Sequence, residues 1–180
     1  AVKVLNAEQA VIEKALERHT LLYRSDQWRE KLIAANVTQI VIVVAPVPSF
    51  LDELIGRCMI AAEAAGIHPL ICLNKSDLPE AAVARRKLNY YTQLGYDLVE
   101  VSALTDVAPL RERLSGHTSV LVGQSGMGKS TLTNALIPGA NAPTREISES
   151  LDSGKHTTTH ATLYRLDDDS TLIDSPGLQE

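Results

Sequence analysis

The stretch HTSVLVGQSGMGKSTLTNAL (residues 117–136) decides the fold. It opens as a short apolar run rich in β-branched residues and closes with helical spacing, so it reads as a strand, a turn and a helix. The turn is Gly123-Gln124-Ser125-Gly126-Met127-Gly128-Lys129-Ser130, the pattern G-x-x-x-x-G-K-S. Its glycines let the backbone bend tightly. Successive N–H groups across Ser125, Gly126, Met127, Gly128, Lys129, Ser130 and Thr131 can then face inward toward phosphate oxygens. The helix after the turn adds its positive N-terminal end. Lys129 would reach the outer phosphates and is a catalytic candidate, while the Ser130 hydroxyl would hold Mg²⁺. A chance glycine-rich turn would have no reason to sit between a strand and a helix.

Outward from this segment the chain alternates strand and helix patterns, the signature of an α/β fold with a mostly parallel sheet covered by helices. TQIVIVVA (38–45) is apolar on both faces, as a central parallel strand must be. Ser49 and Asp52 form a Ser-x-x-Asp cap, and a helix runs from there until Gly66 stops it. PLICLNK (69–75) is the next strand. Pro79 suits the first turn of a helix reaching about Leu94, with Gly95 as its stop. YDLVEVSA (96–103) is a strand, 107–114 a short helix, and ATLYRL and STLIDS (161–166 and 170–175) a strand pair around an Asp167–Asp169 turn. The segment 137–155 is a loop too long for mere connection. AEQAVIEKALERH (7–19) has helix-forming composition by propensity alone.

Composition removes several classes. Among 180 residues, 44% apolar and 22% charged exclude wholesale disorder. The apolar run 40–47 is too short to span a bilayer, and the charged N-terminus is no signal peptide. Cys58 and Cys72 have neither metal nor disulfide spacing; both read as core fillers in a reducing cytoplasm. With 17 Lys+Arg against 22 Asp+Glu, a net charge of −5 argues against a protein that coats nucleic acid.

Four further motifs carry chemistry. Asn74-Lys75-Ser76-Asp77 ends a strand. The Asp77 carboxylate can accept from guanine N1–H and its exocyclic amine, a donor pair adenine lacks. Asn74 can reach the other edge of the base or brace the phosphate loop. After the next strand come Ser102-Ala103-Leu104, where the Ala103 N–H can donate to guanine O6. Asp174-Ser175-Pro176-Gly177 closes the last strand, with Asp174 placed to hold Mg²⁺ through water and the Gly177 N–H to approach a γ-phosphate. Within Gly154-Lys155-His156-Thr157-Thr158-Thr159-His160, a threonine (Thr158 in our assignment) can complete the Mg²⁺ shell only when a γ-phosphate is present. The three β-branched threonines disfavour a helix that would pair His156 with His160 on zinc.

These five elements are those of a GTPase in an unusual order. Ras-like domains run phosphate loop, switch threonine, D-x-x-G, N-K-x-D, then S-A-x. Here N-K-x-D and S-A-L come first and D-x-x-G last. Circular permutation does this without changing the folded site, because domain termini lie close together.

With LLYRSD (21–26), IAANVTQIVIV (33–43), LNKSDL, VSAL, GQSGMGKST, GKHTTTH and DSPG, the chain closely resembles the ribosome small subunit-dependent GTPase A family, over about residues 11–180. The resemblance implies bacterial GTPases of late small-subunit assembly, binding GTP or GDP with Mg²⁺ in the cytoplasm. It implies an N-terminal OB-type barrel before the GTPase domain and a zinc-binding helical domain after it. Residues 1–34 would be a remnant of the barrel plus linker, replacing the helical reading of 7–19 by strand, and 35–180 the permuted GTPase domain. Zinc would belong only to the C-terminal domain, which these residues do not include. The partner implied is the small ribosomal subunit and its rRNA, met mainly through the missing domains by a monomer, with no membrane. Arg18, Arg24, Arg29 and Lys31 at the domain junction are secondary contacts or simply solvated charges.

Ras orients the attacking water with a glutamine directly after D-x-x-G. Leu178 stands there, unable to hydrogen bond, and Gln179 comes one residue late. The resemblance makes His156 the water-positioning residue; otherwise it is a solvated loop histidine. Intrinsic turnover would be slow and stimulated by the subunit. Two rivals remain: an adenine-nucleotide kinase or ATPase, which has no use for Asp77 and Ala103, and a GTP-gated binding module with little catalysis.

Overall fold

The computed structural model describes residues 2–4, 10–15, 17–25, 30–142 and 161–175. The central sheet has six strands: β5 (Gln39–Val44), β6 (His68–Leu73), β7 (Asp97–Glu100), β8 (Thr118–Val122), β9 (Thr162–Arg165) and β10 (Thr171–Asp174). Their order is β7-β6-β5-β8-β10-β9. All neighbours are parallel except the edge pair β9 and β10. Every residue of β5 is buried, as its unbroken apolar run predicts for a strand flanked by β6 and β8 and covered on both faces.

Helices α1 (Asp52–Ala64), α2 (Ala81–Gln93), α3 (Ala108–Leu114) and α4 (Lys129–Leu136) cover the sheet. α1 packs on β5 and β6, α2 and α3 on β7, and α4 on β10. The core between them is made by residues such as Ile42, Ile55, Leu70, Leu88, Leu110, Leu121 and Leu132, each almost wholly buried. From β5 the chain winds outward through β6 and β7. It then returns to the other side of β5 with β8 and continues to β10. The reversal lies between β5 and β8, and in open α/β sheets ligands bind beyond the strand C-termini at such a point. Residues 123–128 leave β8 there.

The local expectations hold for most elements. α4 has the bounds its spacing predicts, and Gly66 and Gly95 end α1 and α2 in left-handed conformations. β7 stops at Glu100, short of the expected 103, because Ser102 leaves the ladder to bridge Asp106. The Ser49–Asp52 cap is not made. α1 starts after Leu51 with no side-chain cap from its own segment, because the Leu51 N–H donates to Gln124 Oε1 instead.

The described residues before 36 include four short strands and no helix. β1 (Val2–Val4) pairs antiparallel with β2 (Ala10–Ile12), and β3 (Leu21–Ser25) with β4 (Glu30–Ala35). Propensity loses here to tertiary and cross-strand pairing, and the strands are consistent with a barrel remnant. Asn36, in the left-handed region at φ 57°, ties this part to the sheet. Its side chain accepts the His19 N–H at 2.8 Å and donates to the Glu17 carbonyl at 3.0 Å. Asparagine adopts that conformation more readily than most residues, and here both ends of its side chain are held by backbone groups 17 and 19 positions earlier.

Candidate nucleotide site

The phosphate loop lies against the C-terminal end of the sheet so closely that two of its glycines have no alternative. At Gly123, φ +148°, an added Cβ would stand 2.3 Å from the Val43 carbonyl oxygen of β5. At Gly128, φ +90°, it would stand 2.4 Å from Asn74 Nδ2. Gly128 is also the cap residue of α4, so the positive end of that helix opens directly onto the loop.

Asn74 joins three of the motifs. It is 1% exposed at the end of β6. Its Nδ2 donates to the Met127 carbonyl at 2.9 Å, and its Oδ1 accepts the Ala103 N–H at 3.1 Å. Of the two roles open to it from sequence, the brace on the phosphate loop is the one present. The Ala103 N–H, expected to read guanine O6, is engaged with Asn74 in this structure, so a base would share that donor. Ser102, 4% exposed, shapes the same turn by donating its N–H to the Asp106 carbonyl at 3.0 Å. Lys75, at φ 57°, donates from Nζ to Val47 O at 2.6 Å and Gly126 O at 2.9 Å. Partial burial lowers its pKa. Asp77 is exposed on the same turn.

Lys129 and Asp174 form the charged interior. Lys129 Nζ donates to the carbonyls of Gly123 at 2.8 Å and Gln124 at 3.0 Å. Burial pulls its pKa down to about 8, against the opposing pull of Asp174. Asp174 is 1% exposed, held at the end of β10 by parallel pairing with β8. Its pKa is raised by burial, with Lys129 and Ser130 acting the other way. Ser130 Oγ donates to Asp174 Oδ2 at 3.5 Å, and Asp174 Oδ1 has no hydrogen-bond partner among the described residues. A buried oxygen left unpartnered beside a hydroxyl is a hard donor set that fits Mg²⁺. Ser175 Oγ donates to Leu121 O at 2.6 Å and fixes the chain leaving β10.

Ser125 and Gly126 are exposed at the loop surface, Met127 is buried beneath it, and Thr131 is half-buried in the first turn of α4. Residues His156, Thr158, Gly177 and Leu178, and the side chains of Arg24, Arg29 and Lys31, lie outside the described residues. Arg18 is exposed.

Sequence motifs did not point to Asn134 or Arg111. Asn134 Nδ2 donates to Ala142 O at 2.9 Å and its Oδ1 accepts the Ala142 N–H at 2.8 Å, pinning the start of the long loop to α4. Arg111 donates from α3 to the Leu136 carbonyl at the end of α4. Each is a polar side chain bonding a backbone group, a signal no local pattern contains.

A family model describing the RsgA GTPase matches residues 15–180. The chain belongs to the RsgA GTPase family. It is 59% identical over 99% of its length to the small ribosomal subunit biogenesis GTPase RsgA of Neisseria meningitidis serogroup C, covering 58% of that protein. The protein of the same name from Nitrosospira multiformis is 58% identical over 97% of the chain and 56% of the relative. Among solved structures, the crystal structure of YjeQ from Thermotoga maritima matches with a TM-score of 0.66 and 31% identity, over 93% of this chain and 55% of that one. The chain thus spans a little over half the length of these RsgA relatives. Its fold is the circularly permuted GTPase fold, with N-K-x-D and S-A-L ahead of the phosphate loop.

Proposed function

We propose that the chain binds GTP and GDP, hydrolyses GTP, and serves late assembly of the small ribosomal subunit, with slow intrinsic turnover that the subunit stimulates. The observation that carries the nucleotide reading is Asn74, which bonds the phosphate loop at Met127 and the S-A-L turn at Ala103. A base-reading turn fastened to a phosphate-binding loop is what a guanine nucleotide needs at its two ends. The relatives' names supply the ribosomal part of the reading.

In this reading Asp77 takes the guanine N1–H and amine, and the Ala103 N–H shares itself with O6. Lys75, bonded to Gly126, sets the base-reading turn against the phosphates. The N–H groups from Ser125 to Thr131 cradle the phosphates. Lys129 exchanges the carbonyls of Gly123 and Gln124 for the outer phosphate oxygens, a charge-assisted contact made by a buried side chain. Ser130 and Asp174 would hold Mg²⁺, with Thr158 as a further oxygen donor and the Gly177 N–H near the γ-phosphate. When bound, the ion neutralises charge developing on the phosphate oxygens. His156 positions the attacking water in place of the glutamine that Leu178 replaces.

Residues 1–34 would be the remnant of an OB-type barrel and 35–180 the GTPase domain. Contact with rRNA would come mainly from domains outside these residues, including a zinc-binding one, with Arg18, Arg24, Arg29 and Lys31 adding to it. The reading implies a monomer in the bacterial cytoplasm; among the described residues no helix is long and apolar enough to cross a membrane.

The test is GTP hydrolysis by the whole protein with and without purified small subunits, in single turnover, beside ATP as competitor. Stimulated hydrolysis of GTP that ATP does not inhibit is expected. Tight GTP binding with no hydrolysis even on subunits would favour the binding-module rival, and equal use of ATP the adenine-nucleotide one.

A further inference from the structure

Gln124 occupies a position of the phosphate-loop pattern where any residue is allowed, and the nucleotide reading assigns it nothing. In the structure it is bonded at both ends. Its main-chain carbonyl accepts Lys129 Nζ at 3.0 Å, and its side-chain Oε1 accepts the Leu51 N–H at 3.0 Å. Leu51 is the cap residue of α1, whose own segment supplies no side-chain cap. Two further contacts tie the same β5–α1 loop to this site. Val47 O accepts Lys75 Nζ at 2.6 Å, and Pro48 lies so near Gly126 that an added Cβ there would be 3.1 Å from Pro48 Cγ. The loop between β5 and α1 therefore backs the phosphate loop at Gln124 and Gly126, and the base-reading turn at Lys75. Phe50, 6% exposed, anchors that loop in the core, with Lys87 of α2 above its ring at 5.5 Å.

We propose that Gln124 is a positioning residue for phosphate binding, tethering the phosphate loop to the N-terminus of α1 through the Leu51 N–H. The inference rests on reading residues 123–130 as a phosphate loop. When Lys129 turns from the Gln124 carbonyl toward phosphate oxygens, residue 124 loses its main-chain partner. The side-chain bond to Leu51 is then what keeps the loop from relaxing. The N–H groups beyond it, from Ser125 to Gly128, stay aimed at the phosphates only while residue 124 stays in place. A tether that favours the phosphate-receptive loop must in turn be favoured by bound phosphate, since coupling between two sites is reciprocal.

The experiment compares guanosine with GDP. In the wild-type protein, hydrogen exchange of the Leu51 amide is expected to be several-fold slower with GDP bound than with guanosine bound. Gln124→Met keeps the side chain's length and removes the acceptor. It should weaken GDP about 3- to 10-fold, the worth of one side-chain hydrogen bond, while guanosine affinity changes less than about twofold. Gln124→Glu keeps an acceptor and should retain slow exchange at Leu51. Equal Leu51 exchange with GDP and guanosine overturns the inference without any variant. So does a Gln124→Met protein that binds GDP like the wild type, or that loses guanosine and GDP in equal measure. A wild-type protein that binds guanosine and GDP equally well would instead remove the phosphate-loop reading itself.

Discussion

Asn74→Asp changes one NH₂ group to oxygen and leaves the shape of the side chain intact, so its consequences are electrostatic. The Oδ1 that accepts the Ala103 N–H survives, but the donor to Met127 O becomes a second acceptor facing a carbonyl oxygen at 2.9 Å. With Asn74 1% exposed, no water can separate the two. Losing the bond and stranding the buried Met127 carbonyl costs about 1–3 kcal/mol. Ionising the new carboxylate in that position costs more, and the group escapes part of this by raising its pKa, at about 1.4 kcal/mol per unit. The sum at neutral pH is about 3–5 kcal/mol, which at about 2–4 °C per kcal/mol for a chain of this size lowers the melting temperature by at least about 6 °C. The pH dependence has a definite sign. The folded-state pKa of the introduced carboxyl lies above its unfolded value of about 3.9, so the folded protein holds more protons in that window and loses stability as pH rises through it. Below the window the protonated carboxyl can donate to Met127 O as the amide did, and the deficit should nearly vanish. Asn74→Ala leaves both backbone partners unpaired at every pH and should show a constant deficit of about 2–4 kcal/mol. The assay is thermal unfolding of the nucleotide-free proteins at about pH 4.5, inside the window, where most but not all of the deficit should have gone, and at about pH 8, where it should be full. If Asn74→Asp melts like the wild type at both values, or shares the flat profile of Asn74→Ala, then Asn74 does not brace the phosphate loop.

Asp77→Asn replaces an acceptor by a donor, and each charge-assisted bond lost should weaken GTP by about 1.5–3 kcal/mol; nucleotide titration should show a gain for xanthine nucleotides, and unchanged GTP affinity would remove Asp77 from base reading. With Lys129 held down to about 8 in the free protein and raised again by bound phosphates, GDP affinity should be flat from about pH 7, where the nucleotide's own phosphates are ionised, up to that pH. Above it, where binding must take up a proton, affinity should fall by up to about tenfold per pH unit, a slope that Lys129→Met abolishes in calorimetric titrations. Gly128→Ala, with its Cβ 2.4 Å from Asn74 Nδ2 at φ +90°, should lower the melting temperature and GDP affinity together; a neutral result would mean that the loop adopts another path. His156→Ala in the whole protein should leave GTP and GDP affinity nearly unchanged while slowing subunit-stimulated single-turnover hydrolysis by about 10²–10⁴, and wild-type turnover would exclude it from water positioning.

How much can be read from sequence depends on the range of the interactions concerned. The phosphate loop and α4 were legible because glycines and helical spacing act within ten residues, and the structure returns Lys129–Leu136 as expected. The four parallel segments of the alternation were legible for the same reason. The order β7-β6-β5-β8-β10-β9 was not, since it is fixed by pairings between distant strands. The failed Ser49–Asp52 cap shows the limit most clearly. Its residues satisfy the local rule, but Leu51 gives its N–H to Gln124, 73 positions away, and no window along the chain contains that bond. Within residues 7–19 the helical composition misleads similarly at 10–12, which form β2 because backbone pairing with β1 outweighs propensity. Asp174 was assignable only through its motif. That it ends up beside Ser130 depends on β10 pairing with β8 in the register that sets Asp174 opposite Leu121.

The join that the permuted order creates, between α3 and β8, lies at the opposite end of the sheet from the nucleotide site. The described residues given a role in nucleotide binding all lie beyond the C-terminal ends of parallel strands: Asn74 after β6, Ser102 after β7, the phosphate loop and the start of α4 after β8, Asp174 at the end of β10. The join between α3 and β8, by contrast, is made at the strand N-termini by Ser115, Gly116 and His117. Gly116, at φ +74°, gives its N–H to Ser170 Oγ at 2.9 Å, and the His117 N–H returns to Leu114 O at 3.2 Å. Thr38, just before β5, lies 3.1 Å from His117 Nδ1 and accepts the Thr118 N–H on its hydroxyl at 3.0 Å. A three-residue connection thus draws bonds from both sides of the sheet, where a conventionally ordered domain would have its two loose ends. The new connection is thus made at the strand N-termini, away from the chemistry, whereas the connection that the permuted order removes is the one that follows D-x-x-G at the C-terminal end of β10. It follows that S-A-L and the phosphate loop are now covalently close through α3 and β8, and that Asn74, 29 residues before Ala103 and 53 before Met127, reaches forward to both.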